Sequence, residues 1–197
     1  MTSTIPMSGP WITEHEIKVV EDCMRNGWYN YNYVETFQKE FAAYHGRKYG
    51  IMTPNCTTAI HLLLTAMGIH DDDEVIVPEC TWIATAAPIT YLRAKPVFCD
   101  IEPVNWCSDP ASVEKNITPK TKAIVVVDIF GNMPLMDELL AISKRKGIPL
   151  IEDAAEAYGT KYKGKNAGRL ADMAAFSSYI AHMVTTIEGG VITTDNS

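Results

Sequence analysis

The chain has 197 residues, with 17 basic and 24 acidic side chains and a formal net charge of −7. At roughly 150 residues per domain, that is one domain or slightly more. Its 47% hydrophobic and 21% charged content is ordinary globular usage and excludes disordered, collagenous and coiled-coil readings. The acidic surplus argues against a nucleic-acid partner, because binding a phosphate backbone needs a basic stripe.

The longest unbroken apolar run is residues 123–127, far short of the about 20 residues that a membrane-spanning helix needs. The N-terminus, MTSTIPMSGPW, lacks the basic-then-apolar order of a signal peptide. No membrane partner is expected, and the expected location is cytoplasmic. The five cysteines (Cys23, Cys56, Cys80, Cys99 and Cys107) are odd in number and without C-x-x-C spacing, and H-E-x-x-H is absent. Neither a disulfide framework nor a metal site is expected, and buried reduced thiols are the better reading.

In chain order, the pattern predicts a helix over residues 14–26, with Thr13 as N-cap and Gly27 just past its end. A second helix is predicted over 34–44, where Phe37, Phe41 and Tyr44 fall at helical spacing. A strand at 48–53 runs through PNCTT into a helix at 58–67. Strand 74–77, helix 81–92 and strand 95–99 follow. KAIVVVD marks a strand at 122–128, the clearest in the chain. Helix 134–146 and strands 148–152, 172–177 and 190–194 complete the series. Short β-branched runs alternating with helices predict a parallel-type sheet covered on both faces. Ligands of such sheets sit at the carboxyl ends of the strands.

The residues that follow the strands are therefore the candidates. In PNCTT, helix-start N–H groups together with the Thr57 and Thr58 hydroxyls suit a phosphate, and a threonine N-cap is the plainer alternative. Asp153 follows an apolar strand. It can hold a cationic ring nitrogen, or it can cap a helix with Glu156 three residues on. Trp82 can stack on a planar ring or sit in the core. Ser177 ends a strand and can bind phosphate. His182, a few residues later, can move a proton or be structural.

The ordered set NCTTAIHLLL, PECTWIATAAP, PVFCDIEP, VDIFGNM, IEDAAEAYGTKYKGK and AAFSSYIAHMVTTIEGGVITT resembles the DegT/StrS-type nucleotide-sugar aminotransferases, and is most similar to their perosamine-synthase-like members. The resemblance spans residues 10–197. It implies an α/β, aspartate-aminotransferase-like large domain of PLP fold type I, with a mixed, mostly parallel seven-stranded sheet. The implied division is an N-terminal helical segment over 1–33 and a cofactor-binding large domain over 34–197. Family members are longer and carry a C-terminal small domain, so this chain reads as their N-terminal portion.

The resemblance also implies a cofactor, pyridoxal or pyridoxamine 5′-phosphate. It implies a nucleotide-linked keto sugar as substrate, an amino donor such as glutamate, and a homodimer. Thr57, Thr58 and Ser177 match phosphate-binding positions, and Cys56 stands where the family has glycine. Trp82 matches the ring-stacking aromatic, and Asp153 the partner of the ring nitrogen. Glu156 matches the residue near the ring hydroxyl. His182 stands where the family's Schiff-base lysine belongs, while Lys161, Lys163 and Lys165 fall in a predicted exposed hairpin. Imidazole makes no stable covalent link to the cofactor but can still move a proton, so noncovalent binding is expected.

A histidine at this position marks the family's 3-dehydratases. Met183 and the pair Ala155–Glu156, however, follow the aminotransferase pattern. Amination of a keto group, dehydration and a non-catalytic homologue therefore stay open, with an engineered or damaged site as the plainest alternative.

Overall fold

The computed structural model describes residues 11–27 and 32–196. The elements in order are α1 (Glu14–Asn26), α2 (Asn32–Tyr44), β1 (Tyr49–Thr53), α3 (Cys56–Ala66), β2 (Glu74–Pro78), α4 (Ile83–Tyr91), β3 (Lys95–Cys99), α5 (Pro110–Lys115) and β4 (Thr121–Val127). A single 3-10 turn (Ile129–Gly131) follows, then α6 (Met136–Lys146), β5 (Leu150–Asp153), β6 (Lys161–Tyr162), β7 (Lys165–Asn166), β8 (Met173–Ser177) and β9 (Gly190–Thr194). The chain packs as two units, 1–37 and 38–197.

In the first unit, α1 opens with a reciprocal capping box between Thr13 and Glu16 and closes on Gly27. Both ends lie where the sequence places them. The Tyr33 hydroxyl donates to Asp22 of α1.

In the second unit, seven strands form one sheet in the order β1-β9-β8-β5-β4-β2-β3. Strand β9 runs antiparallel to both of its neighbours, and β8, β5, β4, β2 and β3 pair in parallel. This is the mixed, mostly parallel seven-stranded sheet that the resemblance implies. Strands β6 and β7 form the separate hairpin expected around KYKGK.

Side chains on a strand alternate between faces, and that alternation creates two core layers. Val75, Val77, Val125, Ile151 and Ile192 pack with Ile60, Leu63 and Leu64 of α3 and Ile89 of α4. Their neighbours Ile76, Ile124, Val126 and Leu150 face the other way, onto Val113 of α5 and Met136 and Leu139 of α6. Each fully buried branched side chain contributes about 1.5–3 kcal/mol, so the central strands tolerate no register slip. Helix α6 is polarised to suit its dipole, with Asp137 and Glu138 in its first turn and Lys144, Arg145 and Lys146 in its last. It ends on Gly147 at φ 67°, a left-handed cap that glycine adopts without strain.

Three local details differ from the sequence reading. Helix α3 begins at Cys56, with Asn55 as its N-cap, because the Asn55 carboxamide reaches the Thr58 N–H at 2.9 Å; no threonine caps it. Residues 154–160 form turns, so Asp153 ends β5 and caps no helix. The six-residue α5, started by Asp109 and Pro110, is too short for hydrophobic periodicity to reveal. Among the cysteines, Cys56, Cys99 and Cys107 are buried, Cys23 and Cys80 are partly exposed, and all five are free thiols.

Candidate active site

Period-2 alternation carries Asp153 to the α3/α4 face, the same face as Ile151, at the carboxyl end of β5. There it is 4% exposed. The Thr85 hydroxyl on the first turn of α4 donates to Oδ2 at 2.7 Å, and the Ala155 N–H to Oδ1 at 3.2 Å. The Cys56 thiol approaches Oδ1 at 3.8 Å. Burial pushes the Asp153 carboxyl above its ordinary range, and the Thr85, Ala155 and Cys56 donors pull it part of the way back. Burial likewise drives the Cys56 thiol well up, helped by the Asp153 charge, so Cys56 remains a protonated, weak donor.

The candidate phosphate residues converge through the sheet register. Thr53 of β1 pairs with Gly190 of β9, and Gly190 pairs with Ser177 of β8. A Cβ on Gly190 would meet the Asn55 carbonyl oxygen at 2.5 Å, so only glycine lets β9 start this close to the N-cap of α3. Ser177, 3% exposed, thereby lies in one row with the start of that helix. At the helix start, Asn55 satisfies the Thr58 N–H and also takes the Thr58 hydroxyl at 2.8 Å. The N–H groups of Cys56 and Thr57 have no acceptor within the helix and, with the Thr57 hydroxyl, are the donors left for an anion. The Ser177 hydroxyl accepts the Tyr179 N–H at 3.2 Å, which leaves its own hydrogen to donate.

Trp82 is the N-cap residue of α4 and is 78% exposed, so it is no core tryptophan. It lies one turn before Thr85, whose N–H donates to the Trp82 carbonyl, and this puts the residue at the end of α4 where Thr85 meets Asp153. Glu156 turns toward β4, where its carboxylate accepts the Phe130 N–H at 2.7 Å. Phe130, in the turn after β4, stands at φ 53°, a costly conformation for a bulky residue. His182 sits in the loop after β8, with its N–H on the Tyr179 carbonyl at 2.9 Å. Its ring is edge-on to Tyr179 at 5.9 Å, and its Nδ1 is buried without a partner.

The sequence reading did not single out Thr85, Asn55 or Tyr158. Tyr158 is hydrogen-bonded to Ser178 at 3.0 Å and packed on Phe41 and Phe176. Thr85 lies mid-motif in TWIATAAP, where only the fold reveals which threonine faces a carboxylate. On the opposite face of β5, Glu152 accepts the Gly168 N–H at 2.6 Å. Its second oxygen and both Asp128 oxygens are buried without donors. Burial and the neighbouring Glu152 charge push the Asp128 carboxyl well above its ordinary range.

Residues 10–197 match the model of the DegT/DnrJ/EryC1/StrS aminotransferase family. The chain belongs to this family. Among relatives of the DegT/DnrJ/EryC1/StrS type, the GDP-perosamine synthase of Caulobacter vibrioides is 43% identical over 194 residues, 98% of this chain and 52% of that protein. The solved sugar aminotransferase Spr1654 of Streptococcus pneumoniae, in its PLP form, superposes with a TM-score of 0.93 at 31% identity, covering 99% of this chain and 54% of that one. The E. coli GDP-4-keto-6-deoxy-D-mannose-3-dehydratase with bound hydrated PLP superposes at 0.91 and 30% identity, over 98% of this chain and 51% of the other. The chain spans about half the length of the curated relatives it matches. Its sheet is that of a DegT/DnrJ/EryC1/StrS large domain, as the α/β fold type I expectation had it. Among the described residues, no helix is long and apolar enough to cross a membrane.

Proposed function

We propose that this chain is the cofactor-binding portion of a nucleotide-sugar aminotransferase-type enzyme that acts at the keto group of a nucleotide-linked deoxysugar, with an amino donor such as glutamate. The single observation that carries this reading is Asp153. It is a carboxylate buried at a strand end and held by three donors, and desolvating such a group is costly unless a cationic partner takes up its charge. The row formed by the start of α3, Gly190 and Ser177 suits the phosphate of the same molecule, because it offers N–H and hydroxyl donors where a Cβ would intrude.

The residues present therefore fit pyridoxal or pyridoxamine 5′-phosphate. When bound, that group supplies an electron sink and an amine carrier. Asp153 would accept a hydrogen bond from the ring nitrogen and keep it protonated. Thr57 and Ser177, with the Cys56 and Thr57 N–H groups opening α3, would orient the phosphate, while Thr58, whose N–H and hydroxyl are both bound to Asn55, would serve by fixing that helix start. Trp82 would cover the ring and exclude water, and Glu156 would stand near the ring hydroxyl. His182 would hold and move a proton. With histidine at this position, the cofactor is held without a covalent bond.

The five free thiols support a cytoplasmic setting. A homodimer fits the exposed apolar residues of the strand-end loops, among them Trp82, Phe130, Met183 and Ile187.

Titration of the purified chain with PLP and PMP tests the reading, with saturable binding by at least one vitamer as the expected result. Borohydride treatment of the loaded protein should leave no cofactor mass on the chain; a pyridoxyl adduct on a lysine would overturn the noncovalent assignment. Incubation of the complete protein with glutamate, PMP and a GDP-linked 4-keto-6-deoxy sugar should yield an amino sugar. A second reading, 3-dehydration, is favoured by His182 itself, and loss of the C3 hydroxyl in the same assay would establish it.

A further inference from the structure

Resting on the cofactor reading above, we propose that Thr85, backed by Thr81, is a positioning residue that keeps Asp153 in one rotamer as an ionised acceptor for the ring nitrogen. The two hydroxyls are 2.7 Å apart, and Thr85 lies 2.7 Å from Asp153 Oδ2. A hydroxyl carries one hydrogen. If Thr85 donates its hydrogen to Asp153, the bond between the threonines must run from Thr81 to Thr85. The donor order is therefore Thr81 to Thr85 to Asp153, and each bond polarises the next.

The chain starts at partly buried Thr81, in the loop after β2, and ends on a carboxylate sealed beneath α3 and α4. The titratable groups around Asp153 make a strong donor necessary. Cys56 on α3 is a thiol that burial pushes well up, Asp128 just after β4 is an acid that burial and the Glu152 charge push up, and Glu156 just after β5 opposes the Asp153 charge. Among the described residues, the groups that act most on Asp153 include no cationic side chain. Without Thr85, the acid has only a backbone N–H and a thiol to hold its charge, and both lie on Oδ1. Oδ2 would then be buried bare, and the cheapest response of a bare buried carboxylate is to take up a proton. A protonated Asp153 neither pairs with a pyridinium nor keeps it protonated.

The test uses Thr85→Val, which keeps the shape and removes the hydroxyl, Thr85→Ser, which keeps the hydroxyl, and Thr81→Val. PLP and PMP affinity is measured by fluorescence titration across pH, and the Asp153 titration by carboxyl 13C shifts in the cofactor-free protein. Thr85→Val should weaken binding about tenfold, the worth of one hydrogen bond to a charged group (about 1.4 kcal/mol). It should also move the Asp153 midpoint and the acid limb of the affinity profile to higher pH. Thr85→Ser should restore both, and Thr81→Val should show the same signs at smaller size.

If wild-type protein binds cofactor and Thr85→Val matches it in affinity and pH profile, the assignment to Thr85 is wrong. Equal damage from Thr85→Ser would also overturn it, because packing and not the hydroxyl would then be responsible. If wild-type protein binds neither vitamer, the cofactor reading itself falls, and the 13C midpoint still decides whether Thr85 governs Asp153. Should Thr85→Val fail to fold by circular dichroism, Thr85→Ser and Thr81→Val carry the same comparison.

Discussion

The two buried acids on opposite faces of β5 and β4 make opposite demands. On the proposed reading Asp153 would have to stay charged for a cationic partner, while burial and the Glu152 charge push the Asp128 carboxyl toward its neutral form. Both have folded-state pKa values above their unfolded ones, so the folded protein binds more protons than the unfolded chain. Stability therefore falls as pH rises from the ordinary aspartate range through the raised values. Thermal unfolding of the cofactor-free chain from about pH 4 to about pH 9 should show that decline. Asp128→Asn, which offers Glu152 a permanent donor, should flatten the slope and raise the melting temperature at alkaline pH. Asp153→Asn should also stabilise the cofactor-free chain at neutral pH, yet weaken PLP binding about tenfold or more. A variant more stable and less able to bind is the signature of a site strained for function. An unchanged affinity would show that the ring nitrogen is not held there.

Between elements, the decisive contact is the approach of β9 to the N-cap of α3. Gly190 is the residue that permits it, since its missing Cβ leaves room for the Asn55 backbone. Gly190→Ala should cost about 1–3 kcal/mol by overpacking, measured as a lower denaturant midpoint. It should also weaken PLP binding more than it weakens pyridoxal binding, because on the proposed reading the displaced helix start would hold the phosphate. Equal loss for both ligands would place the phosphate elsewhere. The element boundaries follow the same logic. Both ends of α1 were legible because capping residues announce them locally. The start of α3 was misread because PNCTT offers three polar residues that can cap, and only the final backbone geometry chooses Asn55.

Among the described residues, exposed apolar side chains are spread over α1, α2, β1 and several loops, and one group of them (Trp82, Phe130, Met183, Val184 and Ile187) lies in the loops after β2, β4 and β8, the loops that also carry His182. Soluble chains seldom leave such a patch open to water, and a second copy is the occupant that the proposed homodimer provides. Sedimentation velocity should give the mass of two chains. Met183→Glu combined with Val184→Glu should return the mass of one. A single-chain mass for the unaltered protein would remove the homodimer from the account.

The sequence by itself determined the sheet. β-branched runs such as KAIVVVD, alternating with helical segments as far as β5, can bury both faces only in a layered, parallel-type sheet, while the fold type and the mixed seven-stranded form followed from the family resemblance. It also determined which residue types could reach the strand ends, including the histidine at 182. What it left undecided was which of them meet. Thr85 and Asp153 are 68 positions apart, and Gly190 and Asn55 are 135 apart. No local propensity couples such distant pairs. They come together only because strand pairing and helix packing fix β5 beneath α3 and α4, where a hydroxyl finds a buried carboxylate and a missing side chain admits a helix start.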